Sequence, residues 1–335
     1  MRAAVLHAQR PVEERPIALQ DRPAPEPDGG EVRLRVLACG VCHTDLHIAE
    51  GDLPARRLPI VPGHQLVGIV DRVGHGVETA MLGRRVGVTW LASTDGACAA
   101  CRRGDENLCE NATFTGYDRD GGFAEYAVAR AAFVTTLPES FDDLEAAPLL
   151  CAGVIGYRAL RVAGARPGET IGFYGFGASA HLAMQIARHQ GCEVAVVTRG
   201  AVHRALAEAL GAKWVGEPGT RPPYALDRAI VFAPAGAVVR EALEGVRPAG
   251  TVAINAVSMD ALPAMPYGLL YGERVLRTVS NLTRADAAAF LALAARIPVR
   301  TEYDAFPLEA ANDVLLQLKR RTLRAAAVIR VTSSI

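Results

Sequence analysis

The stretch TIGFYGFGASAHL, residues 170–182, decides the fold of half this chain. TIGFY is a short apolar run with the composition of a buried strand, and ASAHLAMQIARHQG after it carries apolar residues at helical spacing. Between them Gly175, Gly177 and Ala180 form G-x-G-x-x-A. Glycines at these places let the chain turn tightly and bring its backbone up to a pyrophosphate at the helix N-terminus. Outside a strand-turn-helix setting the motif would mean only close packing of helix on strand; here the setting is present, and it points to a dinucleotide.

Reading downstream, EVAVVTR gives a second strand, and the alternation continues through VHRALAEALGA, LDRAIVFA, AVVREALEGV, GTVAINAV and VLRTVSN. That rhythm specifies a parallel, doubly wound α/β sheet. At the end of the second strand, where an acidic residue usually meets the ribose hydroxyls of NAD, the chain has Thr198 and Arg199, with Arg204 one helical turn beyond. A hydroxyl and two cations suit a 2′-phosphate, so NADP(H) is expected over NAD(H); the competing reading makes both arginines solvated surface charge. Reading upstream, the first ~150 residues lack this alternation. Short β-like runs such as EVRLRVLA, LVGIVDRV and FAEYAVA, set among Gly and Pro, indicate a partly open β-barrel-like domain there.

Composition sets outer bounds. The chain has 335 residues, half of them hydrophobic, enough to bury two cores. Lys plus Arg and Asp plus Glu each number 36, so no net charge steers it toward nucleic acid or an anionic membrane. MRAAVLHAQRPVEE meets charge before an apolar run long enough for a secretory signal, and the longest uncharged apolar stretch, read as 229–239, falls far short of the ~20 residues that span a bilayer. A cytoplasmic protein without membrane contact is expected. In that setting the seven cysteines argue for metal ligation over disulfides.

Cys42, His64 and Cys151 stand in CGVCHTDLH (39–47), PGHQLVG (62–68) and APLLCAGVIGY (147–157). They read as three ligands of one zinc. Two thiolates and an imidazole leave a fourth position open, the geometry of a catalytic ion. Cys39 and Cys192 are left over as small buried hydrophobes.

Those segments, in this order and followed by YGFGASA, resemble the zinc-dependent alcohol dehydrogenases of the medium-chain dehydrogenase/reductase superfamily over nearly the whole chain. PGHQLVG, STDGACAAC, YGFGASAHL and SNLTRAD are most similar to its bacterial, cinnamyl-alcohol-dehydrogenase-like branch. The resemblance implies a GroES-like catalytic domain in residues 1–152, a Rossmann domain in 153–282 and a return of the chain to the first domain in 283–335. It implies interconversion of a primary alcohol and its aldehyde by hydride transfer with a nicotinamide cofactor, in a homodimer or homotetramer.

By the same resemblance, Thr44 takes the alcohol proton, His47 passes it toward solvent, and Asp45 holds the His64 ring in its metal-binding tautomer. His43 contacts the cofactor pyrophosphate, and Trp90 walls the substrate slot. A second, structural zinc is implied, because Cys98, Cys101 and Cys109 keep three places of the family's C-x2-C-x2-C-x7-C loop, with Asp95 in the first. Two zinc ions per chain are thus expected; the alternative is a loop of free thiols. Two departures stand out: Gln65 replaces the family's usual glutamate behind the metal, and Ala326 an arginine able to pair with it. Losing both avoids an unpaired buried charge. Zinc-free quinone or enone reductases, and relatives that bind nucleotide without catalysis, form the alternative class; three intact ligands speak against it.

Overall fold

A computed structural model describes residues 1–331. One unit comprises Ala152–Ser280 with Arg296–Arg300. Its sheet has six strands in the order Trp214–Gly216, Glu193–Val197, Thr170–Tyr174, Leu226–Val231, Val246–Ile254, Val275–Thr278, and every pairing is parallel. The chain starts in the middle, winds outward to one edge, then returns to build the other. The order therefore reverses beside Thr170–Tyr174, the strand that ends at the glycine-rich turn. Because helices cover such a sheet, its strands are apolar on both faces: Ile230 and Val231, neighbours that point to opposite faces, are both fully buried, each worth about 1.5–3 kcal/mol of transfer free energy. Gly175 has φ +96°, and a Cβ there would lie 2.9 Å from the amide nitrogen of Ala233. Only glycine makes that turn.

The other unit comprises residues 1–151, Asn281–Ala295 and the chain from Thr301 onward. Its seven-stranded sheet runs Tyr303–Pro307, Ala326–Arg330, Glu31–Val41, Gln65–Val73, Arg85–Val88, Val134–Thr136, and Tyr126–Arg130 also pairs with Glu31–Val41. All of these pairs are antiparallel except the first. Register shifts leave Leu37 of Glu31–Val41 and Asp71 of Gln65–Val73 without a residue opposite in the ladder, and such bulges bend the strands and increase their twist, as barrel-like curvature requires. In the first of these strands the alternate residues Val32, Leu34 and Val36 are fully buried.

Three local devices deliver chain to the site. Strand Glu31–Val41 runs straight into Cys42, which caps helix His43–Glu50; the Cys42 sulfur accepts from the Thr44 amide at 3.3 Å and the Asp45 carboxylate from the Cys42 amide at 2.9 Å. Gly63, at φ +97°, packs against the Phe123 ring so closely that a Cβ would come within 2.5 Å of it, and this turn aims His64 inward. The third device is a helix broken in its middle. Asp142 caps Asp143–Pro148 through the amides of Leu144 and Glu145, both at 2.8 Å. Pro148 has no N–H to return to the preceding turn, and Leu149–Gly153 widen into a π turn before Val154–Ala163 resumes as α-helix. Cys151 sits in that π turn.

The uncharged stretch 146–157 inside this helix is longer than 229–239, a correction to the sequence reading. By length and composition Asp143–Ala163 could cross a membrane, but 67% of its apolar window is buried inside the protein, as in a core helix.

Candidate active site

Cys42, His64 and Cys151 meet at one point: their ligand atoms all lie within 4.8 Å of one another. Cys42 Sγ and His64 Nε2 are 3.3 Å apart, close to the roughly 3.6 Å that zinc–sulfur and zinc–nitrogen bonds at a tetrahedral angle would give. Behind the ring, Asp45 Oδ1 lies 3.2 Å from His64 Nδ1 and accepts the Gly63 amide at 3.1 Å, while Oδ2 takes the Cys42 amide. One buried carboxylate thus ties together two ligand segments and leaves Nε2 facing the thiols. Burial works against charge on the His64 ring, yet Asp45 and Cys42 outweigh it and push its pKa up to about 10. Cys42 is held well below the usual thiol range by a hydrogen bond from Cys151, with His64 and Thr44 adding to it against burial; the same bond drives Cys151 up. A thiolate beside an imidazolium is the charge pattern that a divalent cation replaces when it displaces the proton. The donor set fits zinc.

Thr44 is buried in the first turn after Cys42, and His47 lies one turn further along the same helix. His47 Nδ1 meets Asp52 Oδ2 at 2.7 Å, a partner the motif did not disclose; its only signal is an acid just past Gly51, where the helix stops. His43 is exposed, its ring 6.4 Å from that of His47. Trp90 stands edge-on to the His64 ring at 4.9 Å. Phe114 and Tyr117 stack on Trp90 at 5.0 and 5.8 Å, and the Arg56 guanidinium lies over both at 5.5 and 5.3 Å. The tryptophan is therefore held by three residues that no motif flagged. Gln65 pairs in register with Gly40, and Gly40 with Val328, two residues from Ala326. The two departures from the family pattern thus share a sheet face, one strand apart, and both are buried.

The second cluster is local. Ligand atoms of Asp95, Cys98, Cys101 and Cys109 also lie within 4.8 Å of one another. Asp95 Oδ1 accepts the amides of Ala97 and Cys98 at 2.8 and 2.9 Å, and Oδ2 accepts Asn111 Nδ2 at 2.9 Å. Asn111, then those amides, hold the Asp95 carboxyl well below the usual range; the Cys101 amide lowers Cys98, and burial beside Cys98 pushes Cys101 up to about 11. Three sulfurs and a fixed carboxylate fit a closed tetrahedral zinc site. Arg284 anchors this lobe to the helix Arg284–Ala294, gripping the buried Glu106 through its backbone and guanidinium.

In the dinucleotide unit, helix Ala178–His189 begins directly after Gly177, with no side chain capping its first amides. A Cβ at Gly177 would meet nothing within 4 Å, so open space lies before those amides, and Ala180 is fully buried behind them. That cradle fits a pyrophosphate. Thr198 is buried, and Arg199 is exposed with no acidic partner among the described residues. Arg204 departs from expectation: Nη1 holds the carbonyls of Thr198 at 3.3 Å and Arg199 at 2.7 Å, and Nη2 pairs with Glu217 at 2.9 Å. It is not a free cation.

Residues 28–139 match the family model of the alcohol dehydrogenase GroES-like domain, and residues 180–296 that of the zinc-binding dehydrogenases. A probable alcohol dehydrogenase of Mycobacterium tuberculosis is 44% identical over 327 residues, covering 96% of this chain and 94% of its own. An alcohol dehydrogenase of Geobacillus stearothermophilus is 36% identical over 341 residues, 99% of this chain and 100% of its own. The solved structure of a cinnamyl alcohol dehydrogenase from Sorghum bicolor is similar with a TM-score of 0.89 at 28% identity, covering 99% of this chain and 98% of that one.

Proposed function

The chain belongs to the zinc-type alcohol dehydrogenases of the medium-chain dehydrogenase/reductase superfamily, an oxidoreductase family interconverting alcohols and aldehydes, and from that premise we propose that its substrates are primary alcohols and their aldehydes. The observation that carries the reading is the meeting of Cys42, His64 and Cys151 in front of the buried Asp45. Two zinc ions per chain and NADP(H) as the preferred cofactor belong to the same proposal, supported by the second donor cluster and by the exposed Arg199, which has no acidic partner among the described residues. Zinc-free quinone or enone reductases and non-enzymatic nucleotide binders are not favoured.

When bound, zinc supplies Lewis acidity toward the substrate oxygen and nicotinamide supplies the hydride acceptor or donor. The chain's own residues do the rest. Asp45 keeps the His64 Nδ1 proton, so Nε2 remains a lone-pair donor. Thr44 receives the hydroxyl proton during oxidation, and His47, braced by Asp52, hands it to solvent; in reduction the proton runs inward along the same groups. Trp90, fixed by its aromatic neighbours, gives the slot an apolar wall.

A pair of chains through the open edge of Val275–Thr278 completes the reading. Among the described residues that strand bonds to one neighbour only, and Tyr267, Leu270 and Tyr271, just before it, are exposed. Seven free thiols agree with a reducing, cytoplasmic setting. The test is to assay purified protein against primary alcohols and aldehydes with NAD(H) and NADP(H) while counting zinc. Turnover in protein free of zinc would overturn the mechanism.

A further inference from the structure

Three elements converge on the turn that follows strand Glu193–Val197. The neighbouring strand Trp214–Gly216 pairs Val197 with Gly216, and the Gly216 carbonyl accepts the Thr198 amide at 3.0 Å, which sets Glu217 beside the turn. Helix Ala201–Ala209 starts at Gly200, which offers no side-chain cap. From inside that helix Arg204 reaches back to the carbonyls of Thr198 and Arg199, at 3.3 and 2.7 Å, and across to Glu217 at 2.9 Å. A planar guanidinium reaches two carbonyls and a carboxylate through two nitrogens held in fixed directions, whereas an ammonium has a single nitrogen on a flexible stem. Its charge is already matched by Glu217, whereas Arg199 is exposed and has no acidic partner among the described residues.

We propose that Arg204 is a positioning residue, clamped by Glu217, that fixes the backbone of Thr198–Gly200 for either nicotinamide dinucleotide, and that Arg199 alone supplies charge for a 2′-phosphate. The proposal rests on the cofactor site described above, since the end of the second strand is where such sheets meet the adenosine ribose. It reassigns Arg204 from ligand to clamp and gives Glu217 a task. A clamp acts on both cofactors alike; a phosphate ligand acts on one.

The experiment measures kcat and KM with NADPH and with NADH for four variants. Arg204→Ala is expected to raise KM about tenfold for both cofactors, with kcat nearly unchanged and the NADPH-to-NADH preference within about twofold of wild type. Glu217→Gln is expected to shift both KM values in the same direction by about two- to threefold, and covers the case in which Arg204→Ala folds poorly. Arg204→Lys separates the roles: a lost clamp leaves lysine as defective as alanine, whereas a phosphate ligand is largely rescued by the retained charge. A loss confined to NADPH, rescue by lysine, or unmoved KM values in folded protein would overturn the clamp. Arg199→Ala is expected to weaken NADPH selectively. If it weakens neither cofactor, the 2′-phosphate reading fails, and an equal effect of Arg204→Ala on both cofactors still upholds the clamp.

Discussion

Cys42, His64 and Cys151 come from three remote segments and surround a point whose carboxylate, Asp45, stays behind the imidazole; Asp95, Cys98, Cys101 and Cys109 come from one loop, and there the carboxylate is itself a donor. In the first cluster each ligand is held by a different device: a capping box, a glycine turn against Phe123, and a π turn. In the second, backbone amides and Asn111 within the loop hold the carboxylate. The difference teaches which way dependence runs. On the proposed reading, the fold maintains the three-ligand cluster and leaves it one open position for chemistry, whereas the four-ligand cluster maintains its own stretch of fold and leaves none.

The sharpest way to break that contrast is Cys42→Ser. Turnover is expected to fall on the order of 10⁴-fold, about 5 kcal/mol of barrier, while the thermal midpoint moves by only a few degrees. A midpoint that collapses together with activity would mean this cluster, too, is structural. Asp45→Asn should cost about 10- to 100-fold in metal affinity in a chelator competition, because the His64 tautomer loses its anchor. Wild-type affinity would leave the carboxylate a bystander.

In the loop the expectation reverses. Asp95→Ala should release one ion per chain and lower the thermal midpoint by roughly 5–10 °C, with turnover within a few-fold of wild type. Asp95→Cys, restoring a fourth thiolate, should hold metal longer than wild type against the same chelator. If Asp95→Ala removes activity as thoroughly as Cys42→Ser, the two clusters are not independent.

The smallest effect concerns what makes His64 unlike another buried imidazole. His181, in the helix after the glycine-rich turn, lies as deep, but its ring is 3.3 Å from the Gly177 carbonyl where His64 has a carboxylate and a thiolate. Burial therefore wins and lowers its pKa to about 4. Between about pH 6.5 and 4 the unfolded chain binds this proton and the folded chain does not, so stability falls with pH, by about 2 kcal/mol at pH 5. His181→Asn should flatten that slope in denaturant titrations at pH 7 and pH 5. An unchanged slope would place the acid sensitivity elsewhere.

The sequence carried the fold class and the family well, because strand-helix alternation and thiol spacing are local patterns, and the comparisons show both. The order of the six strands was not legible, since parallel pairing is settled only when remote segments meet. The same limit hid the partners of the site. Asp52, Asn111, Tyr117 and Glu217 belong to no motif and acquire roles from residues that fold beside them. Arg204 shows the same limit: a cation just past a strand resembles a phosphate ligand, and its pairing with Glu217, just past the neighbouring strand, has no signature in the sequence. Nor does apolar periodicity distinguish a π turn from the helix around it, so the device that displays Cys151 left no mark beyond Pro148.

The strand Ala326–Arg330 lies between Tyr303–Pro307 and Glu31–Val41, and Glu31–Val41 leads directly into Cys42. In chain order, the donors of the four-residue loop are complete at Cys109. The three-residue cluster has its last donor at Cys151, yet the end of the strand that feeds its first donor, Ala38–Val41, finds its partner on one side only in residues 327–330. The two donor sets thus differ in reach along the chain: one closes within a single loop, the other draws on strands contributed by both ends of the sequence.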